Sequence, residues 1–172
     1  KEQQKKVDAL NKQIEEMIAK QVRTTTTLTK EQQLIAGGFE ANQGRLPWPV
    51  EKGFISGYFG KHQHPVHEHV TINNKGIYLQ TVAGANARAI YEGEVSSCAQ
   101  INGNYAVIVQ HGNYRTVYSP LKKIYVKQGD KVKAKQAIGE IVTDTSEDNK
   151  TELYFQVWND RTLQDPEAWL AK

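Results

Sequence analysis

Cysteine, methionine and proline are scarce in this chain, at one, one and five of 172 residues. With Cys98 alone there is no intramolecular disulfide, and no neighbour of the kind that activates a thiol stands beside it. Cys98 therefore reads as a small buried residue near Val95. No apolar run approaches the roughly 18 residues that a membrane-spanning helix requires. A dominant charge is missing as well: 22 Lys and Arg face 19 Asp and Glu, which leaves +3 and a pI of about 8.8. So mild a balance does not demand nucleic acid as a partner, and it tolerates an anionic polymer. Lys1-Glu2-Gln3-Gln4 resembles neither a signal peptide nor a chain start, so the chain is expected to continue upstream.

What is present suits one β domain with a helical lead-in. The length corresponds to about one to one and a half average domains. Residues 1–23 read as a helix in which Val7, Leu10, Ile14 and Met17 recur at three-and-four spacing. That stripe fits either the end of a coiled coil or an amphipathic helix docked on the domain. Residues 24–43 form a linker with a short helix. Thr24 to Thr27 break the first helix, and Thr29-Lys30-Glu31-Gln32 fits a capping box in which Gln32 reaches back to the cap. Gly37-Gly38 is placed to end that helix, and Leu34, Ile35 and Phe39 would be its apolar face. A helix this short needs a surface to lie against.

From residue 44 to 172 the chain reads as β. Strands are expected at 78–81, 89–95, 105–110, 116–118, 138–142 and 152–158, punctuated by glycines. Val126 to Gly139 reads as a turn, two small strands and a second turn that supply one hairpin. The cluster His62, His64, His67, His69 with Glu68 reads as a structural or solvent-facing loop, with a weak metal site as the alternative, because adjacent donors on a strand or turn point in different directions.

Glu152-Leu153-Tyr154-Phe155-Gln156-Val157 resembles the closing strand of the lysostaphin/LytM-type zinc endopeptidases, which reads His-x-His in that family. Asn74-Lys75-Gly76-Ile77-Tyr78 resembles the segment that supplies the family's other two ligands as His-x-x-x-Asp. His111-Gly112-Asn113-Tyr114 and Tyr118-Ser119-Pro120-Leu121 resemble the stretch that carries its second catalytic His. By that resemblance Asn74, Tyr78 and Tyr154 stand at metal-ligand positions, and Pro120 and Glu152 at catalytic ones. Zinc needs imidazole or carboxylate donors and an open position for water, a set that Asn74, Tyr78 and Tyr154 do not provide. The family implies a mainly β fold, an antiparallel β-sandwich with a duplicated hybrid motif and lipoyl-like hairpins, preceded here by N-terminal helices.

The similarity narrows to the EnvC-type activators of murein amidases, through Leu153-Tyr154-Phe155-Gln156-Val157, the lead-in Gly44-Arg45-Leu46-Pro47-Trp48-Pro49-Val50 and the exit Asp165-Pro166-Glu167-Ala168-Trp169-Leu170. This implies a non-catalytic, periplasmic, envelope-associated activator with no cofactor. Its partners would be a murein amidase, a membrane division complex reached through the upstream coiled coil, or peptidoglycan itself. The degenerate groove would be lined by Lys75, Tyr78, Tyr105, Glu152, Tyr154 and Trp158, aromatic residues being well suited to interfaces. Residues 28–40 would either restrain that groove or brace the domain away from it. The rival readings are a zinc endopeptidase, a peptidoglycan-binding module, and a periplasmic adaptor or lipoyl-type carrier. The adaptor and the carrier leave the closing strand and the exit motif unexplained.

Overall fold

The computed structural model describes residues 2–24, 27–63 and 71–172. Helix α1 (Glu2–Thr24) and helix α2 (Lys30–Ala41) precede the β domain. The α1 stripe is one position wider than the heptad reading: Ile14 and Ile18 are fully buried, Asn11 is buried with them, and Leu10 and Met17 pack at the margin. α2 starts as expected, with the Gln32 N–H donating to Thr29 Oγ1 at 3.1 Å. The Gln32 side chain does not reach back to the cap, because its Oε1 accepts from the Gly112 N–H at 2.7 Å. Nor do Gly37 and Gly38 end the helix, which continues to Ala41. Gly38 lies inside it because the Tyr91 hydroxyl occupies the space a Cβ would need. Of the expected apolar face Ile35 and Phe39 are buried, while Leu34 points to solvent at 79% exposure.

The strands are β1 (Phe54–Gly57), β2 (Gly60–Gln63), β3 (Thr71–Asn74), β4 (Ile77–Thr81), β5 (Asn86–Arg88), β6 (Gly93–Ile101) and β7 (Asn104–His111). They continue with β8 (Tyr114–Ile124), β9 (Lys131–Val132), β10 (Ala137–Ile141), β11 (Thr143–Asp144), β12 (Lys150–Asn159) and β13 (Thr162–Gln164). Eleven of them form one antiparallel sheet whose main path is β1-β4-β12-β8-β7-β6-β9, and β2 pairs only with β3. The long β8 changes partners. Tyr114 to Ser119 pair with β12, and Leu121 to Ile124 pair with β10, which in turn pairs with β5. The sheet thereby folds over a core that includes Ile77, Leu79, Val107, Tyr118, Ile138 and Phe155.

Two sequence expectations change. Residues 89–92 are not strand, and the strand begins at Gly93 and runs on to Ile101. β9 and β10 do not form a hairpin, since β9 pairs with β6 and β10 with β5 and β8. The β6–β7 connection is a tight turn in which Asn102 and Gly103 both take positive φ, 54° and 83°, the geometry that matches strand twist in two-residue hairpins.

A second core lies on the other face of the sheet. Ile14 and Ile18 of α1 meet Ile101, Ala106, Ile108 and Val117 there. Burial of an isoleucine side chain contributes about 1.5–3 kcal/mol, so this face anchors a helix that would be marginal alone. β7 and β8 are thus covered on both faces, which accounts for the near-continuous apolar run in β7.

Candidate functional site

Antiparallel register gathers the positions singled out in the sequence. Tyr154 of β12 stands opposite Tyr78 of β4 and Ser119 of β8, and Glu152 stands opposite Gln80. Pro120 follows Ser119, and Asn74 closes β3. Side-chain alternation along β12 sends Leu153, Phe155 and Val157 into the main core and leaves Glu152, Tyr154, Gln156 and Trp158 on the opposite face. The Tyr78 and Tyr154 rings lie 4.8 Å apart.

This face is filled by α1. The Tyr154 hydroxyl donates to Asn11 Oδ1 at 2.7 Å, and Gln156 Nε2 donates to the same oxygen at 3.1 Å. Trp158 Nε1 donates to Gln156 Oε1 at 3.1 Å. Asn11, Tyr154, Gln156 and Trp158 are all buried, so the network meets the rule that buried polar groups find partners. At its ends the helix is held by Asn102 Nδ2, which donates to the Lys6 carbonyl at 3.2 Å, and by Arg115 Nε, which donates to Gln21 Oε1 at 2.7 Å. Lys75 Nζ lies 4.0 Å from Glu15 Oε2, with both side chains largely in water, where such a pair contributes little.

The donor set does not suit a zinc ion. Burial pushes the Tyr154 phenol up to about 12, against the hydrogen bonds from Gln156 and to Asn11, and burial beside Tyr154 and Glu152 pushes Tyr78 up as well. Phenols are not among the imidazole, thiolate and carboxylate donors that zinc ordinarily takes, and the Tyr154 hydroxyl is already engaged with Asn11. Asn74 uses its amide to donate to the Tyr58 carbonyl at 2.9 Å. Glu152 accepts from Ser56 Oγ at 2.6 Å and pairs with Lys150 at 3.6 Å. Among the described residues no three His, Cys, Asp or Glu side chains converge as a metal site. His64, His67 and His69 lie outside the described residues, and of His62 only the backbone, in β2, is described.

Tyr105 is not part of this face. It packs against the main core with Val107 and Val109, while Ala106 and Ile108 face α1. Tyr154 and Trp158 face the groove but are 3% exposed beneath the helix, so neither is a free surface residue. The short helix α2 lies elsewhere: its Phe39 stacks on His111 at 4.7 Å and on Tyr114 at 5.0 Å in the main core. The segment over the groove is α1. Asn11, Gln156, Gln21 and Arg115 escaped the sequence reading. The available signal was a polar Asn11 set between apolar residues of a helical stripe, which marks a register-fixing contact.

The family model for peptidase family M23 matches residues 72–166. Peptidoglycan DD-endopeptidase ShyB of Vibrio cholerae serotype O1 is 34% identical over 115 residues, covering 64% of this chain and 26% of that protein. The chain spans about a quarter of the length of the curated relatives it matches most extensively. Helicobacter pylori Csd3 superposes with a TM-score of 0.62 at 22% identity, over 76% of this chain and 36% of that one. A chain of the SpoIIIAH and SpoIIQ complex superposes at 0.57 and 25% identity, over 71% of this chain and 97% of that one. The match to the family model covers the strands that carry Tyr78, Pro120 and Tyr154, and the chain belongs to peptidase family M23.

Proposed function

We propose that this chain is a non-catalytic member of the family that activates a murein amidase, binding it through the face of β4, β12, β8 and β7 after α1 has left. The observation that carries the reading is Tyr154: at a position that resembles a metal-ligand position of the family, its hydroxyl donates to Asn11 of a helix packed on that face. A surface that binds one helix through buried amides and isoleucines is suited to another. The likeness to a chain crystallised as part of the SpoIIIAH and SpoIIQ complex supports partner binding by this fold. In this reading α1 is the restraint, α2 is a brace, and the setting is the periplasm during wall remodelling, with a membrane division complex acting on the chain upstream of α1. The second reading, a zinc endopeptidase, is favoured by 34% identity to ShyB and opposed by Asn74, Tyr78 and Tyr154, which stand where the resemblance puts the family's ligands and include neither imidazole nor carboxylate.

Murein hydrolysis by the chain alone, by a cognate amidase alone and by the mixture tests the proposal, with zinc content recorded first. Hydrolysis is expected in excess of the amidase alone only in the mixture. It should increase for Ile18→Asp, which weakens the seat of α1, and disappear for Tyr154→Ala with the β circular dichroism signal retained. Metal-dependent hydrolysis by the chain alone overturns it.

A further inference from the structure

Arg115 sits in β8 beneath the last turn of α1 with 2% of its surface exposed. A guanidinium remains charged at any physiological pH, and a buried one is ordinarily matched by a carboxylate. Here Nε donates to the neutral amide oxygen of Gln21, and among the described residues no carboxylate pairs with it. Asp160 acts on it from farther away. Arg115 also lines a cavity of about 250 Å³, with Gln21 and Thr24 of α1, Glu94, Gln110 and Gln128 as further walls.

We propose that this cavity is a carboxylate subsite of the groove and that Gln21 is a neutral placeholder in it, so that the partner helix replacing α1 carries Asp or Glu where α1 carries Gln21. The inference rests on reading the groove as a partner-binding surface. The fold already bears the cost of burying Arg115, and an arriving carboxylate sets its attraction to that cation against its own desolvation alone. A charge-assisted, bidentate contact is roughly twice as strong as the neutral one it replaces. Two effects oppose it: Glu94 shares the cavity, and the C-terminal end of a helix running as α1 does disfavours an anion. Against them stands a direct, charge-assisted contact at the site of the Gln21 hydrogen bond. An amide in that position therefore holds α1 in place without making it the best occupant. The contacts of Asn11, Ile14, Ile18 and Gln21 then define the partner: an amide, apolar residues three and seven positions later, and an acid ten positions later.

The test is a double-mutant cycle in the full chain with Gln21→Glu, Arg115→Gln and both together, read as hydrogen exchange of the α1 amides. Gln21→Glu is expected to slow α1 exchange roughly tenfold, and the gain should vanish without Arg115. Exchange as fast as in the parent chain, or a gain that survives Arg115→Gln, overturns the proposal. Should Arg115→Gln not fold, fluorescent peptides of residues 2–24 with and without Gln21→Glu are titrated onto the full chain carrying Ile14→Asp and Ile18→Asp. Binding roughly tenfold tighter for the acidic peptide supports the subsite, and equal binding overturns it. Neither measurement reads amidase activity, so failure of the activator reading and failure of the subsite are seen separately.

Discussion

His111 is fully buried, and its two ring nitrogens are both engaged. Nδ1 lies 2.8 Å from the Glu92 carbonyl and Nε2 lies 2.9 Å from the Thr116 hydroxyl. A carbonyl only accepts, so Nδ1 carries a proton. Burial pushes the imidazole down to about 4, against the pull of the Glu92 hydrogen bond. The unfolded chain binds a second ring proton below about pH 6.5 and the folded chain does not, so stability is full above that pH and falls toward pH 4. Between pH 7 and 4.5 the parent chain should lose roughly 2–3 kcal/mol more than His111→Gln. Denaturant midpoints at the two pH values measure this, and equal losses would exclude it. At this scale the sequence was legible where a short motif marks a position on a strand, as at Tyr78 and Tyr154, which the register brings face to face. It was not legible for Tyr105, because Tyr105 to Val109 is apolar on both faces and an unbroken run carries no parity. Asn11 and Arg115 were hidden for a different reason: their partners lie 143 and 94 residues away.

The two helices illustrate how docking differs between elements with similar sequence signals. α2 is held at the turn between β7 and β8, where Gly112 has φ of 73° and the Ala36 methyl fills the space a Cβ would take. Gly112→Ala should therefore cost roughly 2–4 kcal/mol through backbone strain and overpacking. A shifted denaturant midpoint with unchanged exchange of the α1 amides is expected, because α1 belongs to the other core. Loss of α1 protection as well would mean the two helices are coupled through the hairpin. Both helices were legible as helices from periodicity and from the Thr29 cap. Which one covers the groove was not, since an amphipathic stripe specifies that a helix docks and not where. The pairing of β9 and β10 was illegible for the same kind of reason: adjacency along the chain suggested a hairpin, and distant strands claimed both edges.

For the whole molecule, the lead-in and the exit motif close on one another. Leu46 bridges to Leu170 in parallel, and Trp48 Nε1 donates to the Ala171 carbonyl at 2.7 Å. Trp169 is buried between Phe39 at 4.9 Å and Tyr114 at 5.1 Å, tying this clasp to α2 and to β8. Trp169→Ala should cost about 3–5 kcal/mol in a cooperative unfolding transition. A loss under about 1 kcal/mol would mean the clasp is peripheral to the fold. The mainly β architecture was legible from many short β-rich runs between glycines, while the folding over of the sheet at β8 depends on a change of partner that local sequence does not encode. The layout of α1 also has a mechanical side. Its polar contacts come in chain order, from the Lys6 carbonyl through Asn11 and Glu15 to Gln21, and their partners are Asn102 and Lys75 in turns and Tyr154 and Arg115 on strands. Tension applied ahead of Glu2 would load them one after another, as in opening a zip, so the force needed is set by the strongest single fastening and not by their sum.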